Sequence, residues 1–470
     1  MSVGIRKASI SGMPLLIAVA AQLFLIIINC FEPQDGTNYA MYIINYIVGF
    51  LVILSLIFKG VASHILAIAF FGCYMLFLMA QKPFEPHYNV YLTFARVELN
   101  ANQYFIFSII LFIGIAVTYY SYIYFGNKNI DYGSESVVVS YINCQALKPL
   151  LTFMLAITLP CAVYMQGYIV LVRGSMSYTS GYLVNVYVPT VIKIGYYLYS
   201  TVVLLYLALK PTKRQMMFVL ITYILIEGGL QIFQGRRALF ASTILFIVWY
   251  LFKYYEIKKV NFKLIFRIII VLVILLMILI IVEQSRDNAS GRFTMQLVRH
   301  FLISTGGSDS VIANTIFRKD SFPAGGIAYL LDPFINNPIG NVLLGKTSSA
   351  QGMTYLWQHN SFSHWISYMA ESSLYLSGHG MGSSYLAEIY LAFGMVGIVL
   401  ISIILGWVIN KINIMEFNSN IFRSAFIFFL VRRLFTFPRD GMFSWIGSLI
   451  YLVFTYVILY PFYQRYCKRR

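Results

Sequence analysis

The sequence predicts an all-α polytopic membrane protein. Hydrophobic residues make up 59% of its 470 residues and charged residues only 11%, a balance that excludes an ordinary soluble domain. Apolar runs long enough to cross the hydrocarbon core, about 20 residues each, recur from one end of the chain to the other. We therefore expect residues 1–470 to form a single integral membrane domain, with no separate soluble domain beside it.

About twelve apolar windows define the expected transmembrane helices. Two of these windows, 215–234 and 237–256, form a close pair because a turn rather than a loop separates them. The first window is read as a retained helix because no convincing small-residue cleavage site follows it. The windows are 13–31, 40–58, 62–80, 102–125, 148–172, 187–209, 215–234, 237–256, 262–283, 383–411, 420–437 and 441–463.

Basic clusters set the predicted orientation, because Lys and Arg concentrate in cytoplasmic loops. The clusters alternate consistently onto one side, which places both termini in the cytoplasm. Topology and lipid headgroups thus explain most of the formal charge of +17, and nucleic acid is not an expected partner. The clusters are Arg6/Lys7, Lys210/Lys213/Arg214, Lys253/Lys258/Lys259/Lys263, Lys411 and Arg465/Lys468/Arg469/Arg470.

One long polar segment, 284–382, falls on the opposite, outer side. About 100 residues without structure would be unusual in a compact domain, so we expect this large loop to fold as a lid over an outward-facing cavity. Its Arg286, Arg292 and Arg299 break the positive-inside pattern, which favours an anionic ligand. Arg292 and Arg299 are seven residues apart and share one face of a helix, an arrangement that suits a pyrophosphate.

His300 follows this arginine pair and lies about 100° round the same helix, close enough to serve a neighbouring hydroxyl. A lone histidine is more often a satisfied polar residue than a base. The turn Gln234-Gly235-Arg236-Arg237 is a second candidate anion site. Two guanidinium groups and free N–H groups meet there at a helix N-terminus. The alternative is a pair of snorkelling arginines that anchor a helix end, but two adjacent arginines on the outer side favour function.

A third candidate lies where small residues lead into the helix after residue 382. Ser383 and Ser384 can cap its first turn, and Tyr385 follows them. Glu388 lies more than one turn into this helix, and an ionisable group inside a membrane is a functional candidate because it is costly. The structural alternative is a buried ion pair with one of the two arginines of the 234–237 turn.

The end of the window 420–437 carries further charges. Pro438 fixes a turn there that places Arg439 at the surface, where Asp440 can orient it. Arg432 and Arg433 lie deeper and need partners. Two charges within earlier windows, Lys193 and Glu227, could form a purely structural pair.

No motif for a metal or nucleotide is present. The sequence lacks H-E-x-x-H, G-x-x-x-x-G-K-[ST] and an outer-side acidic pair such as D-x-D. We therefore expect metal-independent chemistry without a cofactor. Outer arginines beside an apolar surface suit a lipid-linked pyrophosphate, whose tail stays in the bilayer and whose charge sits at the boundary.

From about the seventh helix onward the chain resembles the O-antigen polymerases (Wzy-type), the oligosaccharide repeat-unit polymerases of bacterial envelopes. The resemblance rests on the twelve-helix layout with a large late loop, on Gly235-Arg236-Arg237 opening a helix, and on the segment GMGSSYLAE (380–388) followed by Phe393-Gly394. It implies a fold like the ligase-like type of GT-C glycosyltransferase in the bacterial inner membrane, with the active site facing the periplasm.

The resemblance also implies a reaction and a set of roles. A growing glycan would move from undecaprenyl pyrophosphate onto the non-reducing sugar of a new lipid-linked repeat unit, alongside a partner that regulates chain length. His300, His379 or Glu388 would activate the acceptor hydroxyl. The pyrophosphates would be bound by arginines, with Ser383, Ser384 and Tyr385 also lining the substrate site; these arginines are Arg236, Arg237, Arg286, Arg292, Arg299 and Arg439.

Other interpretations remain open at this point. An O-antigen ligase would use the same donor and the same arginine chemistry, but it would hand the glycan to lipid A core. A lipid-linked oligosaccharide flippase would have about twelve helices as well, without needing the long outer loop. A membrane scaffold gives no reason for so many outward arginines.

Overall fold

The fold is a bundle of α-helices with one very small sheet. The computed structural model describes residues 2–80, 89–90, 97–127, 145–174, 188–232, 237–257, 307–337, 351–415 and 420–467, together with isolated positions between 260 and 305 and residue 340. The sheet is a two-stranded antiparallel pair of β1 (Asn89–Val90) and β2 (Val97–Glu98), with Asn89 opposite Glu98.

Fifteen helices follow one another in the described part of the chain. They are α1 (Ser2–Phe31), α2 (Asp35–Leu78), α3 (Ala101–Asn127), α4 (Lys148–Gly174), α5 (Thr190–Ala208), α6 (Lys213–Ile232), α7 (Arg237–Tyr254), α8 (Ser308–Phe317), α9 (Gly326–Ile335), α10 (Met353–Gln358), α11 (Phe362–Ala370), α12 (Ser372–Leu376), α13 (Tyr385–Ile414), α14 (Ile421–Leu434) and α15 (Ile446–Cys467).

Among the described residues, eight helical segments are long and apolar enough to cross a membrane. They lie in α1 to α6, α13 and α15, which establishes a multi-pass membrane protein. One of them, Gly36–Leu78, has 43 residues and joins two predicted windows through a kink at Gly60 and His64. The apolar part of α7, Ala238–Tyr254, is shorter, and the window 262–283 falls largely outside the described residues. The expected count of twelve spans therefore stays a prediction.

Local sequence explains where two of these helices begin. At the start of α14, the Asn420 side chain accepts hydrogen bonds from the backbone N–H groups of Phe422 and Arg423, the usual way in which an asparagine satisfies orphan donors. At the start of α6, Thr212 and Gln215 form a capping box. Further along, α6 widens into a π-helical segment, Ile224–Gly229.

The described part of the predicted outer loop is helical, and α8 belongs to the core of the bundle. Every residue from Ser308 to Ile316 is buried, and α8 packs against α2, α3 and α13. Three of its polar side chains, those of Ser310, Asn314 and Thr315, can be buried because they bond to nearby backbone carbonyls. The Asn314 amide donates to the Ser310 carbonyl at 3.0 Å, and the Thr315 hydroxyl donates to the Val311 carbonyl at 2.6 Å.

The helix α13 is not continuous. Gly394 has φ 62° and ψ −150°, a backbone conformation that is essentially restricted to glycine. The residues before Gly394 therefore form a short helix of their own, which carries Glu388. Gly394, one of the residues on which the sequence resemblance rests, is thus the site of a kink.

Replacing Gly394 with alanine should lower the thermal stability of the purified protein. A non-glycine residue in this conformation costs about 1–3 kcal/mol, which should lower the midpoint of thermal unfolding by several degrees, measured by tryptophan fluorescence in detergent. The control is Gly72→Ala, since Gly72 lies within helix α2 with no atom within 4 Å of an added Cβ. Equal midpoints for the two variants would contradict the strained conformation.

Candidate functional site

Glu388 lies in the first turn of α13, nearer the start of the helix than the sequence predicted, and its carboxylate is buried with 6% of the residue exposed. Oε1 accepts a hydrogen bond from the Ser383 hydroxyl at 2.7 Å, and Oε2 accepts one from the backbone N–H of Met442 at 2.8 Å. A Cβ atom at Gly441 would collide with this carboxylate. The Glu388 side chain therefore joins the start of α13 to the turn between α14 and α15.

Two further carboxylates act electrostatically on Glu388. They belong to Asp440, in the turn after α14, and to Asp332 on α9. Asp332 is 8% exposed and accepts a hydrogen bond from the Asn336 amide. Three acidic side chains are therefore held near the start of α13. Together they offer many acceptor lone pairs.

Arg439 is held next to this acidic group by a short 3-10 turn, Phe437–Arg439. Its guanidinium carbon lies 6.0 Å from the ring centroid of Phe77, at the end of α2, within the range of a cation–π contact. The ring of Phe437 stacks on Tyr385, with 4.5 Å between the centroids. The turn that carries Arg439 is thus packed against α2 through Arg439 and against the start of α13 through Phe437.

The three residues predicted to bind substrate at the start of α13 lie at this same point. Ser383 bonds to Glu388, and Ser384 is the fully buried residue that precedes the helix. Tyr385 is also fully buried, with its ring stacked in the core. The structure therefore brings together Ser383, Ser384, Tyr385, Glu388 and Arg439. The buried Tyr385 ring packs against Phe437, in the same turn as Arg439.

His379 lies in the connection between α12 and α13. Its Nδ1 is 3.0 Å from the Ser377 hydroxyl, and its carbonyl accepts a hydrogen bond of 2.5 Å from the Gln351 amide. The same amide donates to the Tyr375 carbonyl at 2.5 Å. These contacts tie His379 to the segment 351–377.

The remaining predicted site residues are only partly described. Arg236, Arg286, Arg292 and His300 lie outside the described residues, and Arg237 is described by its backbone alone, as the first residue of α7. Arg299 is described, in a helical position with an exposed side chain. The predicted arginine pair on one helix face therefore stays a prediction.

Sequence reasoning was wrong about the partner of Glu227. The expected pair with Lys193 is replaced by an ion pair with Arg432, whose Nη2 lies 2.7 Å from Glu227 Oε2. Arg433 donates to the Ser448 hydroxyl at 2.6 Å. The partners of Arg432 lie 205 to 232 residues away along the chain, so no local pattern in the sequence could have identified them.

Sequence reasoning also missed an aromatic stack in the segment 351–382. The Tyr355 ring lies between two histidine rings, with centroid distances of 4.3 Å to His359 and 4.2 Å to His364. His364 Nδ1 lies 2.9 Å from the Tyr375 hydroxyl. Burial lowers the pKa of His364 to about 4, and the neighbouring His359 contributes to the same shift. A neutral His364 can accept the hydrogen bond that Tyr375 donates.

Acidification should destabilise the segment that contains His364. A histidine in an unfolded chain has a pKa of about 6.5, so between that value and about 4 the unfolded state binds a proton that the folded state does not. Stability is therefore lost as the pH falls through this window, by at most about 2 kcal/mol between pH 7.5 and pH 5. Thermal unfolding in detergent at both pH values measures the loss.

The variant His364→Phe keeps a ring against Tyr355 and removes the titrating group. It should be less stable than the parent at pH 7.5, because Tyr375 loses its acceptor, yet its stability should vary less with pH. A parallel decline of both proteins between pH 7.5 and pH 5 would show that His364 is not responsible.

A family model described as O-antigen polysaccharide polymerase Wzy matches residues 14–470. No curated protein and no solved structure matches the chain. The family match extends over the early helices, where the sequence resemblance had rested on hydropathy alone, and it includes α13, α14 and the turns that hold Glu388 and Arg439. The chain belongs to the O-antigen polysaccharide polymerase Wzy family.

Proposed function

We propose that this polymerase joins undecaprenyl-pyrophosphate-linked oligosaccharide repeat units at the periplasmic face of the bacterial inner membrane, by metal-independent glycosyl transfer. The observation that carries the proposal is the meeting of Glu388, Ser383 and Arg439 at one end of a membrane-spanning helix. Membership of the polymerase family supports a polysaccharide product.

The two kinds of charge suit the two substrates. An ionised carboxylate accepts hydrogen bonds and donates none, so the group formed by Glu388, Asp332 and Asp440 suits the hydroxyl groups of an acceptor sugar. Arginine forks suit phosphate oxygens and stabilise a pyrophosphate as its leaving-group charge develops. We assign that second role to Arg439 and to the outer arginines Arg236, Arg237, Arg286, Arg292 and Arg299.

Glu388 is the base candidate with the most support. Each of its oxygens has a single hydrogen bond among the described contacts, and a carboxylate oxygen has two lone pairs, so each oxygen retains acceptor capacity. Ser383 and the Met442 amide would hold the carboxylate in one orientation while it accepts the proton of the attacking hydroxyl. His300 and His379 remain the alternatives for this role.

The proposal includes a topology. Twelve spans with both termini in the cytoplasm place the segment 284–382 in the periplasm, as a lid above the site in a ligase-like GT-C fold. The packing of α8 against α2, α3 and α13 supports a loop that is anchored in the bundle. A separate protein that regulates chain length would act on the emerging glycan, and lipid contacts surround the bundle.

Replacing Glu388 with glutamine should abolish most of the polymerase activity while preserving the fold. Glutamine has the size of glutamate and can still accept one hydrogen bond, but it cannot act as a base. Loss of a general base lowers the rate by about 10² to 10⁴, measured as ladder formation from purified lipid-linked repeat units. The control Asp320→Asn changes an exposed carboxylate of the same outer layer and should leave the rate unchanged. A near-normal rate for Glu388→Gln would remove Glu388 from the role of base.

The purified protein should lengthen glycans when it is given lipid-linked repeat units alone. An O-antigen ligase makes no product without lipid A core, and a flippase makes no longer glycan at all. The variant Arg299→Ala should slow this chain growth by about 10², the typical loss for one donor to a developing charge. Failure of the unmodified protein to extend chains would overturn the polymerase proposal.

A further inference from the structure

The pair Arg432 and Glu227 forms a buried polar junction between three membrane helices. The side chains are 11% and 7% exposed, and the Arg432 guanidinium reaches Glu227 on α6 from α14. Its other terminal nitrogen, Nη1, donates to the Tyr223 hydroxyl at 2.7 Å and to the Ser200 hydroxyl at 2.9 Å. One guanidinium therefore links α14 to both α5 and α6.

Glu227 belongs to the π-helical segment Ile224–Gly229. A π-bulge adds a residue to one helical turn, so it changes the direction in which the following side chains point, and such bulges often occur at functional sites. Next to Glu227, an added Cβ at Gly228 would lie 2.7 Å from the ring of Phe240 on α7. Because Gly228 lacks a Cβ, the π segment of α6 can pack closely against the Phe240 ring of α7.

Both partners lie a short distance along the chain from proposed substrate-binding arginines. Beyond Glu227, α6 ends at Ile232, and α7 begins at Arg237, five residues later in the sequence. Beyond Arg432, α14 leads into the turn Phe437–Arg439 and then to Met442, whose amide holds Glu388. The ion pair therefore connects the two chain segments that flank the proposed donor and acceptor sites.

Stability alone gives a weak reason for this pair. Apolar residues of similar volume often replace a buried ion pair without loss of stability, and a charge inside a membrane helix is costly. The pair does supply direction, because a guanidinium fork fixes the relative orientation of the groups that it binds. A requirement for accurate placement of the two helix ends accounts for it better than a requirement for stability.

We propose that Arg432 and Glu227 are positioning residues of the polymerase site. They hold the end of α6, beyond which α7 begins at Arg237, in register with the end of α14, which leads to Arg439 and to the Met442 amide that binds Glu388. This inference rests on the proposed function. Each substrate still binds its own half of the site when the pair is lost, but the reacting atoms no longer meet in the required geometry.

The test is the double variant Arg432→Met/Glu227→Met, which replaces both charges with apolar side chains of similar length. We expect an unchanged or higher midpoint of thermal unfolding, KM values for lipid-linked repeat units within about threefold of the parent, and a fall in kcat of about 10², the loss that a displacement of about 1 Å can produce. The kcat is measured per folded molecule, so a purely structural role would leave it unchanged.

The matched control is Arg433→Met, which removes the neighbouring buried arginine together with its hydrogen bond to Ser448 and leaves the π segment intact. It should keep the parental kcat. Polymerisation by the parent and by this control establishes the proposed function independently. If the parent polymerises and the double variant keeps the parental kcat, the positioning role is excluded.

A milder variant decides the question if the double variant does not fold. Glu227→Asp keeps both charges and shortens one side chain by a methylene group, so the ion pair can form only if α6 and α14 shift relative to each other. We expect folded protein with kcat lowered by about tenfold, little change in KM, and partial activity in Arg432→Lys, which keeps the charge but loses the fork. A parental kcat in Glu227→Asp would overturn the proposal.

Discussion

The hydrogen bonds of the Glu388 carboxylate are the interaction that joins the start of α13 to the turn between α14 and α15. One donor, Ser383, is local, whereas the other, the Met442 amide, comes from 54 residues further along the chain. Hydrogen bonds to a charged group contribute about 1.5–3 kcal/mol each, and a buried carboxylate without them would cost considerably more. Because Gly441 lacks a Cβ, the turn can approach closely enough for both bonds to form. The start of α13 and the turn after α14 therefore keep a fixed relation.

That fixed relation determines where opposite charges are available. The turn that supplies the Met442 amide also carries Asp440 and follows Arg439, so one short stretch brings an acid toward Glu388 and a cation toward Phe77. A site that transfers a sugar from a pyrophosphate needs acceptors for hydroxyl groups and donors for phosphate oxygens within a few ångströms of each other. The geometry at the start of α13 supports the proposed site, since Glu388 lies near two further carboxylates there and Arg439 lies in the adjacent turn.

The sequence predicted the parts of this structure that depend on local composition. Hydropathy located the helices because a membrane span is a property of about 20 consecutive residues, and the expense of charge in a membrane drew attention to Glu388. The sequence alone could not predict the kinked backbone at Gly394, the π segment around Glu227 or the partner of Arg432. The partner of Arg432 depends on packing between helices that are remote in sequence, since Arg432 and Ser200 are 232 residues apart, and the conformation of Gly394 is a backbone torsion that hydropathy does not report.

The burial of α8 limits how the outer segment can move. A lid that opened as a whole would expose Val311 and Ile312, which have no accessible surface, and would separate α8 from the three helices that surround it. Opening of the whole segment would therefore cost much apolar contact, since each large buried aliphatic side chain contributes about 1.5–3 kcal/mol. Motion is easier in the segment 351–382, whose helices are short and whose Trp357 is 74% exposed. The burial of α8 therefore favours movement of residues 351–382 over movement of residues 307–317 in the proposed lid.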